Sequence, residues 1–283
     1  MQPLRSARFR LGVFRRKWER YRAIVRSARS REEARELRRL SRIPSRRLTT
    51  TMIFGFPFRI PDAPTFLVQY DEIIQREHMK FVTDNPYPVI IDGGANAGVA
   101  TVFFKRLYPQ AQITAFEPDA QIASLLKANV ASLCATNVDV VEAALWTSAG
   151  ELTFWSQGGD AGRLGDEPPI GGAAVAVRSV RLADYLHQHV DLLKLDIEGA
   201  ECEVLPDCEP LLGNVDRILL EYHSVVHSDQ RLGEVLEVLR RSGFRYFIQA
   251  ESGAVAVPPF VESHEWNGLD NQLLVAAERP RPK

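Results

Sequence analysis

The chain has 283 residues, 45% hydrophobic and 25% charged, with a formal net charge of −1. That length supports one large or two small domains with a sizeable core, and the balance excludes collagen-like, mucin-like and wholly disordered chains. No run of about 18 apolar residues occurs, so no transmembrane helix is read, and three cysteines (Cys134, Cys202 and Cys208) predict reduced thiols in the cytoplasm rather than a disulfide framework.

The small total hides an asymmetry. Residues 1–50 hold 17 Lys and Arg against four acids, a net of +13, which leaves −14 for the rest. Phe14, Trp18, Tyr21 and Val25 step by four, three and four, which predicts an apolar stripe on a basic helix. Ser30 followed by Glu33 predicts a capping box for a second helix with Ala34, Leu37 and Leu40 on one face, ended by Pro44. A basic amphipathic arm suits an anionic membrane surface, which would make the protein peripheral to a membrane. Packing on its own domain or on a second subunit is an equal reading. An organellar transit peptide is a third, because Glu19 is the only acid in the first thirty residues.

Three regions are expected: a basic helical arm at 1–50, an accessory cap at 51–84 and the main domain at 85–283. In the cap, Ile53–Ile60 and Thr65–Tyr70 read as a hairpin and Asp71–Thr83 as a helix. Asp84-Asn85-Pro86-Tyr87-Pro88 is a turn. Strand–helix alternation then begins, with strands at Val89–Asp92, Gln112–Phe116 and Val138–Glu142 and helices at Gly98–Tyr108 and Asp119–Ser132. Strands follow at Glu151–Trp155 and Ala174–Val180, separated by a Gly/Pro-rich loop at Gly158–Gly172. Val190–Asp196, Val215–Tyr222, Phe244–Gln249 and Leu273–Ala277 complete the strands, with helices near Ala200–Leu205 and Gln230–Ser242. This order predicts an α/β fold, a mostly parallel sheet with helices on both faces.

Val89-Ile90-Ile91-Asp92-Gly93-Gly94-Ala95-Asn96-Ala97-Gly98 runs from a buried strand through small residues into a helix. Such a turn lies at the ligand crevice of a doubly wound sheet. Asp92 stands before the glycines, where a carboxylate repels a pyrophosphate and attracts a cation. S-adenosylmethionine carries an ammonium and a sulfonium. Glu117 ends the next strand 25 residues on, where an acid accepts ribose hydroxyls. Asp92, and Asn96 at the middle glycine position, disfavour a nicotinamide dinucleotide.

The run Asp92 to Gly98, then Phe116-Glu117-Pro118, then Leu193-Lys194-Leu195-Asp196-Ile197-Glu198-Gly199-Ala200-Glu201, resembles the FkbM family of S-adenosylmethionine-dependent methyltransferases. The resemblance covers about Ile73 to Ala277 and leaves the basic arm outside. It implies a class I methyltransferase (Rossmann-like) fold, a seven-stranded sheet with its last strand antiparallel. It also implies O-methylation of a hydroxyl on a sugar, glycan or natural product. On this chain it assigns Asp92, Gly94, Asn96 and Gly98 to the loop holding the methionine part, Glu117 to the ribose, Pro118 beside it to the cofactor site, and Ala143, within Glu142-Ala143-Ala144-Leu145, to the adenine.

Asp196 ends a strand at the crevice, and alternation puts Lys194 on the same face. Glu198 and Glu201 follow at the helix start. Glu221 and His223 share a face of the next strand. Methyl transfer to a hydroxyl needs alignment and a proton acceptor. His223 is the expected base, oriented by Glu198 or Asp196, with Lys194 near the acids. Asp196, Glu198, Glu221 and His223 also form the donor set of a magnesium-like ion. No tight ligand signature supports that, and no metal is expected. Trp155 and Trp266 can stack on a sugar ring, or simply pack.

An RNA methyltransferase using the basic arm is the main alternative. Few aromatics interleave with the basic residues, which disfavours it. A non-catalytic cofactor-binding module is the other alternative.

Overall fold

A computed structural model describes residues 19–156, 163–164, 173–225, 229–250 and 269–280. The chain divides into two compact units, Met1–Lys80 and Phe81–Lys283.

In the first unit, helical backbone over 19–26 leads to α1 (Arg31–Leu40). Ser30 Oγ accepts from the Glu33 amide at 3.0 Å, and Glu33 reaches back to the Arg29 amide at 2.6 Å. Both groups satisfy amides that a helix start leaves without partners. Leu37 and Leu40 are fully buried. Upstream, Ile24 is buried while Tyr21 and Val25 are half-buried; Phe14 and Trp18 lie outside the described residues.

The cap differs from expectation in three places. The hairpin pairs β1 (Thr49–Thr51) with β2 (Phe58–Ile60), so strand occupies only the end of Ile53–Ile60. Thr65–Tyr70 is not a strand but mostly helix, α2 (Ala63–Gln69). Asp62 caps that helix, accepting from the Thr65 amide and hydroxyl at 3.0 and 2.9 Å, and Pro64 sits in its first turn. The helix expected over Asp71–Thr83 is a π-helical turn over Tyr70–Gln75. Arg76 and His78 amides close it on the Asp71 and Glu72 carbonyls, and Glu77 then turns left-handed at φ +57°. Packed rings of Phe54, Phe58, Phe66 and Tyr70 form the core here.

The second unit is the predicted α/β sandwich. β3 (Val89–Gly93), α3 (Val99–Leu107), β4 (Gln112–Phe116), α4 (Ala120–Ser132) and β5 (Val138–Val141) build one half of the main sheet. β10 (Leu192–Leu195), α5 (Glu201–Cys208), β11 (Arg217–Val225), α6 (Leu232–Arg241), β12 (Arg245–Ala250) and β13 (Leu269–Glu278) build the other. The sheet has seven strands in the order β12-β13-β11-β10-β3-β4-β5. β13 runs antiparallel to both its neighbours, and the other pairings are parallel. This is the class I methyltransferase fold. The strands flanking the loop form a second sheet with β6 (Ala144–Trp146), β7 (Gly150–Ser156), β8 (Arg163–Leu164) and β9 (Ala173–Arg181) in the order β6-β9-β7-β8. The rest of the expected loop at Gly158–Gly172 lies outside the described residues.

Four of five residues in β3, and all of β10, are buried, as a parallel strand covered on both faces requires. The order in which strands are laid down reverses between the parallel neighbours β3 and β10, the topological switch point where open α/β sheets bind ligands. Register pairs Lys194 with Asp92 and Leu195 with Gly93. The glycine turn and the strand end at Asp196 therefore leave the sheet side by side.

Candidate active site

The turn after β3 is left-handed at Gly94 (φ +74°), Asn96 (+50°) and Gly98 (+96°). Gly94 is fixed by space as well: a Cβ there would meet the Asp196 carbonyl oxygen at 1.7 Å. The Gly94 and Ala95 amides both donate to the Phe116 carbonyl, at 3.1 and 2.9 Å. The turn is thus tied to the strand end that carries Glu117.

Asp92 is fully buried. Its Oδ2 accepts from Thr101 Oγ1 at 2.8 Å, and its Oδ1 lies 3.2 Å from Lys194 Nζ. The cation beside Asp92 is therefore the chain's own. Lys194 Nζ also donates to the Gly93 and Gly94 carbonyls at 3.0 Å each and lies 3.5 Å from Asp196 Oδ2. Burial opposes the charge on Lys194, but Asp92, Asp196 and Glu221 outweigh it and hold the ammonium above its usual range. One lysine thus clamps the glycine turn to the acidic strand end.

Glu117 accepts from the Asn96 amide at 3.0 Å and the Asp119 amide at 2.9 Å. Burial pushes its carboxyl up to about 7, against the pull of those amides and of Lys194. Pro118 is half-buried in the following turn, ahead of the α4 cap Asp119. Ala143 is fully buried, in the core with Phe116 and Leu145.

The acids after β10 converge on His223. Its Nδ1 faces Glu201 Oε1 at 3.2 Å. Its Nε2 lies 4.0 Å from Asp196, 3.7 Å from Glu198 and 3.6 Å from Glu221. The side chains are layered: Glu198 is 33% exposed and Asp196 24%, while His223 is 1% and Glu201 0% exposed. Burial disfavours the imidazolium, yet Glu198, Glu201 and Glu221 raise the His223 pKa well above its usual value. Ligand atoms of Asp196, Glu221 and His223 lie within 4.8 Å of one another.

Two residues of this cluster were not singled out in the sequence. Glu201 was read only as part of the helix start. In the structure its Oε1 accepts from the Ile197 amide at 2.9 Å and its Oε2 from the Gly199 amide at 3.0 Å. These bonds hold a turn whose residues Glu198 and Gly199 are both left-handed, at φ +57° and +100°. Gln272 stands opposite His223 in the β11–β13 register and touches both Glu221 and the His223 Nε2. Its only sequence signal is a polar run, Asp270-Asn271-Gln272, at the start of an apolar strand. Trp155 is half-buried on β7, and Trp266 lies outside the described residues.

The model of the methyltransferase FkbM domain matches residues 92–246, more than half of the chain. The chain belongs to the FkbM methyltransferase family. The matched span holds every expected site residue from Asp92 to His223. Three relatives are similar to it. The methyltransferase sdnD of Sordaria araneosa is 34% identical over 153 residues, 42% of this chain and 59% of its own. The 2-O-methyltransferase NoeI of Sinorhizobium fredii is 29% identical over 175 residues, 53% of this chain and 68% of its own. The 31-O-demethyl-FK506 methyltransferase FkbM of Streptomyces tacrolimicus is 27% identical over 193 residues, 56% of this chain and 73% of its own. The chain thus spans 59% of the length of the Sordaria relative it matches.

Proposed function

We propose that the protein is an S-adenosylmethionine-dependent O-methyltransferase acting on a hydroxyl of a sugar, glycan or natural product. The observation that carries this is the junction of two devices at the switch point, a left-handed glycine turn and a layered acid–histidine cluster. The printed names of two relatives, a 2-O-methyltransferase and a 31-O-demethyl-FK506 methyltransferase, support oxygen as the acceptor.

The residues fit the cofactor. Gly94 lets the turn pass against the Asp196 backbone, which sets the glycine turn directly beside the acidic strand end. The Glu117 oxygens each accept one amide and retain a lone pair for ribose hydroxyls. The acids beyond β10 leave a negative crevice for a cation. When bound, the cofactor supplies an electrophilic methyl group on a positively charged sulfur.

The chain's own residues then have two tasks. Asp196 and Glu198, the outer layer, accept the hydrogen of the acceptor hydroxyl and align its oxygen; alignment of this kind accounts for much of the rate in bimolecular transfers. The proton must leave as the oxygen gains its methyl group. Its destination is His223 Nε2 behind those carboxylates, once the ring is neutral, with the Nδ1 proton held by Glu201. The three free thiols fit a reducing compartment such as the cytoplasm.

The test is transfer from methyl-labelled cofactor into an extract of the source organism, fractionated into small molecules, lipid, glycan and RNA. Label in a glycan or small-molecule fraction, resistant to mild base, supports the reading. Label confined to RNA replaces it.

A further inference from the structure

We infer that the first unit docks on a bilayer carrying anionic lipids, through the arginine row Arg31, Arg35, Arg38 and Arg42 and the exposed Leu48 and Met52. This does not rest on the methyl-transfer reading.

Two sets of arginines in this unit differ in their partners. Arg20 pairs with Glu72 at 2.5 Å, Arg29 donates to the Ile74 carbonyl at 2.9 Å, and Arg39 binds Glu36 and the Thr50 carbonyl at 2.6 and 2.7 Å. Those three hold the unit together. Arg31, Arg35, Arg38 and Arg42 are exposed, and none pairs with a carboxylate among the described residues. Arg31, Arg35 and Arg38 step by four and three along one face of α1, opposite the buried Leu40, and Arg42 follows in the turn just past the helix end. At 1.5 Å per residue the helical part of the row runs for about 10 Å. Like charges at this spacing repel one another. A partner carrying many negative charges offsets that cost.

The flank of the same helix carries apolar surface. Arg39 and Glu36 bind the Thr50 carbonyl and the Thr51 hydroxyl, which holds β1 beside α1. Leu48 and Met52 bracket β1 and are 63% and 59% exposed. Arginines in the headgroup layer with aliphatic side chains just below them is the pattern of an interfacial segment. No helix among the described residues is long and apolar enough to cross a membrane, which is consistent with attachment rather than spanning. Nucleic acid fits less well. Single strands are held by stacking on aromatic side chains, and no aromatic residue within 19–80 is exposed.

The test is co-sedimentation of the full chain with phosphatidylcholine vesicles, with and without phosphatidylserine. The expected result is binding only to anionic vesicles, lost between about 0.1 and 1 M salt as the Debye length falls from about 10 to 3 Å. Each basic residue at such a surface contributes roughly fivefold. Replacing all four arginines (Arg31→Gln, Arg35→Gln, Arg38→Gln, Arg42→Gln) should therefore weaken binding about a hundredfold or more. Leu48→Ser with Met52→Ser should weaken it while leaving the salt dependence intact. Thermal melts establish that each variant is folded, and the pair Arg35→Gln, Arg38→Gln serves if the fourfold variant is not. Three results overturn the inference: no binding to anionic vesicles, wild-type binding by the folded arginine variants, or displacement from vesicles by single-stranded RNA at equal phosphate concentration.

Discussion

Glu201 Oε1 and His223 Nδ1 face each other at 3.2 Å, both side chains closed to solvent. The carboxylate fixes the Nδ1–H form of the neutral ring and leaves Nε2 toward Asp196, Glu198 and Glu221. The same carboxylate holds the left-handed turn that carries Glu198. Glu201 is thus a positioning residue for both layers. Glu201→Gln and His223→Gln should each lower kcat by about a hundredfold, the lower range for acid–base assistance. The double variant should lose little more than either single one, because the two act through one hydrogen bond. Losses that multiply would separate their roles. Cofactor affinity by calorimetry should change little in His223→Gln.

Glu117 and His223 both have raised folded pKa values, so their linkage has the same sign. Between the ordinary carboxyl value and about 7, folded Glu117 holds a proton that the unfolded chain releases. Its contribution is full below the unfolded value and is lost as pH rises through the folded one. For His223 the loss begins above its ordinary value of 6.5. Denaturant melts should show stability falling from pH 5 to 8, less steeply in Glu117→Gln. Turnover should rise over the neutral-to-alkaline range, because the ring must be neutral to accept a proton. A flat stability profile would contradict the Glu117 shift.

Lys194 cancels the buried charge of Asp92. Lys194→Met leaves that carboxylate uncompensated and should cost about 3–5 kcal/mol. Adding Asp92→Asn should recover part of the loss, measured by denaturant unfolding. A loss within about 0.5 kcal/mol, as at an ordinary surface site, would show that the pair does not hold the turn.

Gly94→Ala places a methyl group where the Asp196 carbonyl oxygen stands. The turn must move, and backbone shifts of this kind cost about 1–3 kcal/mol. Cofactor affinity should fall with it. A folded Gly94→Ala variant with unchanged affinity would remove the turn from the binding site.

Much of this was legible because short-range chemistry decided it. The Ser30–Glu33 cap, the run from Asp92 to Gly98 and the apolar strands Val89–Gly93 and Leu192–Leu195 each declare themselves within ten residues. Alternation also put Lys194, Asp196, Glu221 and His223 at neighbouring strand ends, as the β10–β11 register shows. What escaped depends on contacts distant in sequence. Glu201 meets His223 across 22 residues, and Gln272 meets it across 49. The pairing of Asp92 with Lys194 spans the switch point, so strand-end position alone read Asp92 as open to a ligand cation. In the cap, Asp62 caps a helix over an apolar run by accepting from the Thr65 amide and hydroxyl, where propensity suggested a strand.

Methyl transfer to oxygen at the layered acid–histidine cluster makes separate demands on Glu117 and Asp196. The most direct measurement is single-turnover transfer from methyl-labelled S-adenosylmethionine by the wild-type, Glu117→Ala and Asp196→Ala proteins, with cofactor binding measured on the same samples. The wild type should bind cofactor and label a hydroxyl acceptor. Glu117→Ala should lose affinity by about 1.5–3 kcal/mol, the cost of a charged hydrogen bond. Asp196→Ala should bind cofactor but lose most transfer. Cofactor binding that survives Glu117→Ala unchanged, or full transfer by Asp196→Ala, would contradict the account.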